Sequence, residues 1–147
     1  MRFVLVDRFL SVERGRAATA LKTFRPEDPV FADHFPGFPV VPGVLLTEAM
    51  GQAAGWALAT ELAPGRFPLL LMVEKAKFRR FVRPGEEIRL EAEVEAPRGG
   101  VWPARARASV GGRDFIALRQ DDGAWIFWTR QPQPLLEGRF QAVELET

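Results

Sequence analysis

The chain has 147 residues, no cysteine and a single histidine. Without cysteine there are no disulfides, no thiol nucleophile and no thiolate metal site. With one histidine, a metal would have only carboxylates left as ligands, so neither a metal centre nor a cofactor is expected. A marked excess of either sign of charge is also missing, because 20 Lys and Arg face 19 Asp and Glu. Bulk electrostatics therefore give no reason to expect a nucleic acid partner. No repeat, low-complexity tract or linker divides the chain, and a single domain over 1–147 is expected. A membrane span is not expected either: the longest apolar run, Gly43 to Leu62, is interrupted by Glu48, Gln52 and Glu61. No signal-peptide pattern stands before the first strand-like residues, which makes the cytoplasm the expected compartment.

What is present sorts into one helix and many strands. Pro42 and Gly43 open the apolar run and Pro64-Gly65 close it, which predicts a core helix surrounded by protein. Phe3 to Leu10 reads as a strand. After the turn signal Pro84-Gly85-Glu86, the charged residues Arg89, Glu91 and Glu93 alternate with Leu90, Ala92 and Val94. Arg105, Arg107 and Ser109 alternate likewise with Ala104, Ala106 and Ala108. Gly111-Gly112 predicts a hairpin into Asp114–Gln120, and Asp122-Gly123 a turn into Trp125–Thr129. An apolar helix followed by successive antiparallel strands predicts an α+β fold in which a sheet curls around the helix.

The one imidazole, His34, lies on a loop stiffened by Pro36, Pro39 and Pro42, and the helix that follows carries Glu48. An imidazole and a carboxylate held on rigid structure are the minimum equipment for moving a proton on and off carbon and oxygen. Each residue also has a plainer reading. His34 suits an ordinary loop, Gly43 suits close helix–strand packing, and Gln52 suits a backbone group in need of a partner. An unpaired carboxylate on an apolar helix is harder to explain without a partner or a function. Lys77, Arg79, Arg80 and Arg83 form the densest basic cluster and suit solvated strand edges.

The sequence resembles the β-hydroxyacyl-(acyl carrier protein) dehydratases of type II fatty acid synthesis. The likeness rests on Leu5-Val6-Asp7-Arg8-Phe9, on Ala20-Leu21-Lys22 and on the run from His34-Phe35-Pro36-Gly37 through Pro42-Gly43-Val44-Leu45 to Glu48-Ala49 and Gln52. It continues through Lys75-Ala76-Lys77-Phe78-Arg79-Arg80, Pro84-Gly85 and Arg98-Gly99-Gly100-Val101-Trp102. These blocks fall in family order over about residues 3–120. The resemblance implies the hotdog fold, a homodimer that often assembles into a trimer of dimers, and a site shared between subunits. His34 and Glu48 match the family's catalytic pair, with Glu pointing to the simple rather than the isomerising dehydratases.

In such a site His34 is the expected base toward C2 of a 3-hydroxyacyl thioester, and Glu48 the acid that protonates the departing C3 hydroxyl. A carboxyl withdrawn from water holds its proton more readily, as this role requires. The resemblance assigns the Gly43 amide to the thioester oxygen and Gln52 to a supporting hydrogen bond, and makes Phe35 a candidate for lining the acyl site. It also makes Lys77, Arg79 and Arg80 a landing patch for acidic acyl carrier protein. Two rival readings stay open: a dehydratase of polyketide or aryl-polyene synthesis or a CoA-linked hydratase, and a non-catalytic hotdog subunit that binds acyl chains or carrier protein. Residues about 121–147 extend past the family pattern, and Trp125, Trp128, Pro132 and Pro134 predict an added strand and a tail packed on the surface or on a neighbouring subunit.

Overall fold

One long helix lies against an antiparallel sheet that curls around it. The computed structural model describes residues 3–78 and 80–112, together with the backbone of 118–120, 123–126 and 136–144. The strands are β1 (Arg8–Glu13), β2 (Ala17–Thr23), β3 (Arg66–Ala76), β4 (Glu87–Val94), β5 (Val101–Ser109), β6 (Leu118–Gln120), β7 (Gly123–Ile126) and β8 (Leu136–Glu144). The helices are α1 (Val30–Asp33) and α2 (Gly43–Ala59). Six strands form the main sheet in the order β1-β2-β4-β5-β8-β3, and β6 and β7 pair separately.

Alternation in the sequence fixes which face of the sheet meets the helix. On β4, Ile88, Leu90, Ala92 and Val94 are buried while Arg89 and Glu93 face solvent. On β5, Ala104, Ala106 and Ala108 point inward. They meet Ala49, Ala53, Ala54 and Ala57 of α2 in the same core cluster. Small side chains on both surfaces let helix and sheet approach closely, and Phe24, Met50, Leu58 and Ile88 fill the remaining volume. Ser109 departs from the predicted alternation: it is buried although it pairs with exposed Arg89 on β4.

The helix stops at Ala59, short of the predicted Leu62, because its last turn finds other partners. The Arg14 guanidinium, from the β1–β2 hairpin, donates to the Thr60 carbonyl through Nη2 at 2.8 Å and Nε at 3.2 Å. Gly15 N–H donates to the Ala57 carbonyl at 2.9 Å. A cation and an amide thus satisfy carbonyls that the helix end leaves unpaired. Gly15 has φ +64°, and a Cβ there would run into the Glu61 side chain.

Phe3 to Asp7 do not extend the first strand, as the sequence predicted; β1 begins at Arg8. Backbone groups of Phe3 and Leu5 bond instead to a side chain of α2, described below, and the Asp7 carboxylate accepts from Thr23 N–H and Lys22 Nζ. The C-terminal segment is the larger correction. An added strand and a tail on the surface or on a neighbouring subunit are expected there, whereas β8 enters the main sheet between β5 and β3, pairing with both. Of the predicted strands Asp114–Gln120 and Trp125–Thr129, residues 114–117 and 127–129 lie outside the described residues, and Gln120 pairs with Gly123 across the predicted turn.

Beyond β8 lies β3, the edge of the sheet. Phe67, Leu69, Leu71 and Met72 on it are each about half exposed, and Val44 and Trp56 of α2 are more exposed still. An apolar edge strand beside an apolar helix face is a surface that soluble proteins cover.

Candidate active site

Glu48 and Gln52 stand one turn apart on α2 and point the same way. Gln52 Nε2 donates to Glu48 Oε1 at 3.0 Å and to the Phe3 carbonyl at 3.1 Å, while its Oε1 accepts the Leu5 N–H at 2.8 Å. A backbone carbonyl can only accept and a backbone N–H can only donate, so these two partners fix which end of the amide is which. Gln52 therefore presents a donor to Glu48. One carboxyl oxygen is committed to that donor, and the other is left for a proton or a ligand.

Both side chains open into a cleft of about 860 Å³ between the N-terminal segment, α2 and β3. Its α2 wall continues through Gly51 and Gly55 to Trp56, and Pro68, Leu69 and Leu70 of β3 face it. At the Trp56 end Phe9 stacks on the indole, with ring centroids 5.4 Å apart and planes at 23°.

His34 follows α1 and starts the proline-bearing loop. Its Nδ1 lies 3.2 Å from the Val40 carbonyl oxygen, which can only accept. In the neutral ring Nδ1 therefore carries the hydrogen and Nε2 keeps the lone pair, the arrangement a general base needs. The ring stacks on Phe35 at 4.3 Å. Val41 N–H donates to the Val82 carbonyl at 2.7 Å and fastens the loop to the chain before β4.

The chain does not bring His34 and Glu48 together by itself: no hydrogen bond joins them, and His34 does not line the Glu48 cleft. Phe35 is about half exposed and also lies outside the cleft.

Gly43 is the first residue of α2, after Pro42, whose side chain makes no capping bond. Leu45 and Leu46 N–H donate to the Pro42 carbonyl at 3.0 and 3.3 Å, which leaves the amides of Gly43 and Val44 without an acceptor inside the helix. A Cβ on Gly43 would come within 2.8 Å of the Phe78 ring, so glycine is required for packing whatever its amide does. Lys77 and Arg80 follow β3 rather than edging a strand. Arg80 donates to Glu86 at 2.8 Å, and Arg83 lies 5.7 Å from the Phe38 ring centroid. Arg79 lies outside the described residues. Among the described residues no cluster of three or more His, Asp or Glu is placed to hold a metal. Among the described residues no helix is long and apolar enough to cross a membrane.

The latch between Gln52 and the N-terminal backbone was not foreseen, since a backbone carbonyl and amide leave no mark in a sequence. The Phe9–Trp56 stack was missed too, for it joins residues 47 positions apart.

The model of a family described as the FabA-like domain matches residues 1–118. A 3-hydroxyacyl-[acyl-carrier-protein] dehydratase FabZ from Pelotomaculum thermopropionicum is 47% identical over 111 residues, covering 74% of this chain and 79% of the relative. Another FabZ, from Rhodospirillum rubrum, is 36% identical over 135 residues and covers 90% of this chain and 82% of its own. Among solved structures, a mutant of the fluoroacetyl-CoA-specific thioesterase FlK superimposes with a TM-score of 0.63 at 17% identity, over 91% of this chain and 90% of that one. The dehydratase heterocomplex ApeI:P from Xenorhabdus doucetiae gives a TM-score of 0.54 at 19% identity, over 91% and 95%. At such identities these two establish the hotdog fold and nothing about chemistry.

Proposed function

The chain belongs to the FabA-like family, and we propose that it dehydrates 3-hydroxyacyl-(acyl carrier protein) to the trans-2-enoyl thioester and water in fatty acid biosynthesis. Curated FabZ relatives with that activity in their names, matched over most of their length, support the reaction. One observation on this chain carries the reading: a carboxyl held by Gln52 at the wall of a largely apolar cleft.

In this reading His34 Nε2 takes the C2 proton, and the electron pair released moves toward C3 as the C3–O bond breaks. Glu48 delivers its proton to the departing hydroxyl, which leaves as water. The products are the enoyl thioester, an imidazolium and a carboxylate, and return of the proton from His34 to Glu48 through solvent restores the start. Negative charge passes through the thioester oxygen, where the uncapped Gly43 amide and the positive end of α2 oppose it.

The two groups meet across a homodimer, His34 of one protomer entering the Glu48 cleft of the other. The apolar edge of β3 and the uncovered face of α2 support this assembly, and further association gives a trimer of dimers. Lys77, Arg79 and Arg80 receive the acidic carrier protein, Arg80 with its guanidinium already turned to Glu86. A cytoplasmic setting goes with this reading, and no cofactor is needed.

The test is to incubate the protein with 3-hydroxybutyryl and 3-hydroxydecanoyl thioesters, on carrier protein and on CoA, and follow the absorbance of the conjugated enoyl product. Carrier-bound substrates should react fastest. Release of free thiol in place of enoyl product would mean thioester hydrolysis, and folded protein silent on all substrates would mean a binding subunit.

A further inference from the structure

Trp56 has no part in the chemistry above, yet it forms one end of the Glu48 cleft. We infer that the stacked Phe9–Trp56 pair is the end stop of the acyl site. The substrate's hydrocarbon tail then runs from Glu48 along Gly51 and Gly55 and terminates against the two rings. The inference rests on the dehydratase reading and adds to it the residues that set chain length.

Glu48, Gln52 and Trp56 are spaced by two steps of four residues, so they fall on one side of α2. Eight residues at the helical rise separate Glu48 from Trp56 by about 12 Å along the axis. Between them the helix presents glycine at 51 and 55, both lining the cleft. Packing does not demand glycine at 51: an added Cβ would first meet Leu70 Cδ2 at 3.5 Å, an ordinary contact. This is unlike Gly43, where the Phe78 ring leaves no room. Glycine at 51 therefore keeps the α2 wall flat, with room for about one methyl group before Leu70 is met.

The polarity of the walls gives the tail its direction. Glu48 and Gln52 stand at one end, where the hydroxyl reacts, and two stacked aromatic rings line the other, the outer indole half exposed. Of the charged residues bordering the cleft, Asp7 is engaged by Lys22 and Thr23 N–H, and Arg8 is exposed to solvent. Stacked rings at 5.4 Å make a stiffer wall than one mobile side chain. A medium-length chain fills such a groove and a long one overruns it.

The experiment measures kcat/KM of the full chain on 3-hydroxybutyryl, 3-hydroxydecanoyl and 3-hydroxypalmitoyl carrier-protein thioesters, for wild type, Trp56→Ala, Gly51→Ala and Gly51→Val. Wild type should fall about tenfold or more from decanoyl to palmitoyl. Trp56→Ala should raise the palmitoyl-to-butyryl ratio by about tenfold. Gly51→Val should lower the decanoyl-to-butyryl ratio, and Gly51→Ala, whose Cβ fits, should lower it by less. Active enzymes whose ratios match wild type in all three variants would overturn the inference and leave the dehydratase reading standing. No enoyl product from wild type at any length would sink both.

Discussion

Replacing Gln52 by alanine tests the latch that joins the N-terminal segment to Glu48. Three hydrogen bonds vanish, to Leu5 N–H, to the Phe3 carbonyl and to Glu48. Leu5 is only 2% exposed, so its N–H is left in the protein without a partner, at a cost of about 1–3 kcal/mol. The other two bonds are closer to water and add about 0.5 kcal/mol each. The total is about 2–4 kcal/mol, and for a chain of this size each kcal/mol lowers Tm by about 2–4 °C. Scanning calorimetry at fixed protein concentration should therefore find a drop of roughly 5–15 °C. Hydrogen exchange locates the change: the Leu5 amide should exchange far faster in the variant, while β4 amides keep their order relative to the global opening. Gln52→Glu separates the two roles, since it can still accept from Leu5 N–H but sets a second carboxylate against Glu48. It should retain more stability than Gln52→Ala and still lose most activity. A Tm loss under about 2 °C with unchanged Leu5 exchange would refute the reasoning.

Gly43→Ala should destabilise the protein and reduce turnover, because its Cβ meets the Phe78 ring, and adding Phe78→Ala should recover stability; urea unfolding of both variants checks this. Leu69→Lys or Leu71→Lys, at exposed positions on the β3 edge, should yield folded monomers without dehydratase activity, read by analytical ultracentrifugation and the enoyl assay. Glu91 is held below its ordinary value near 4.5, chiefly by the hydrogen bond from Arg107, with burial acting in the opposite direction. Its stabilising effect is therefore present above that ordinary value and lost as pH falls through the lower folded one. Glu91→Gln should flatten the acid side of the stability–pH curve, by less than about 1 kcal/mol because the pair is partly exposed.

The sequence made the helix and the inner strands legible because their patterns are local. Pro42-Gly43 marks a helix start, and strict alternation over 87–94 leaves one choice of buried face. The ends were less legible. Arg14 and Thr60, 46 residues apart, meet where α2 stops, and the Gln52 amide takes up backbone groups of Phe3 and Leu5 ahead of β1. The place of β8 was hidden for a similar reason: strand order depends on partners contributed by β3 and β5 together. At the site, Glu48 stood out as a carboxylate in an apolar helix and His34 as the only imidazole. Which nitrogen of that imidazole is free depends on the Val40 carbonyl, which periodicity does not reveal. The Trp56 wall of the cleft was not legible because its partner ring, Phe9, lies far away in the sequence.

Mixing two inactive chains tests the central claim most directly. His34→Ala and Glu48→Gln, each purified and inactive, are combined under conditions where subunit exchange is verified by mass. A site built from both protomers predicts that each heterodimer regains one working site of two, so an equal mixture recovers about a quarter of wild-type activity. No recovery despite complete exchange would contradict the shared site, and substantial activity in either variant alone would contradict the assignment of His34 or Glu48.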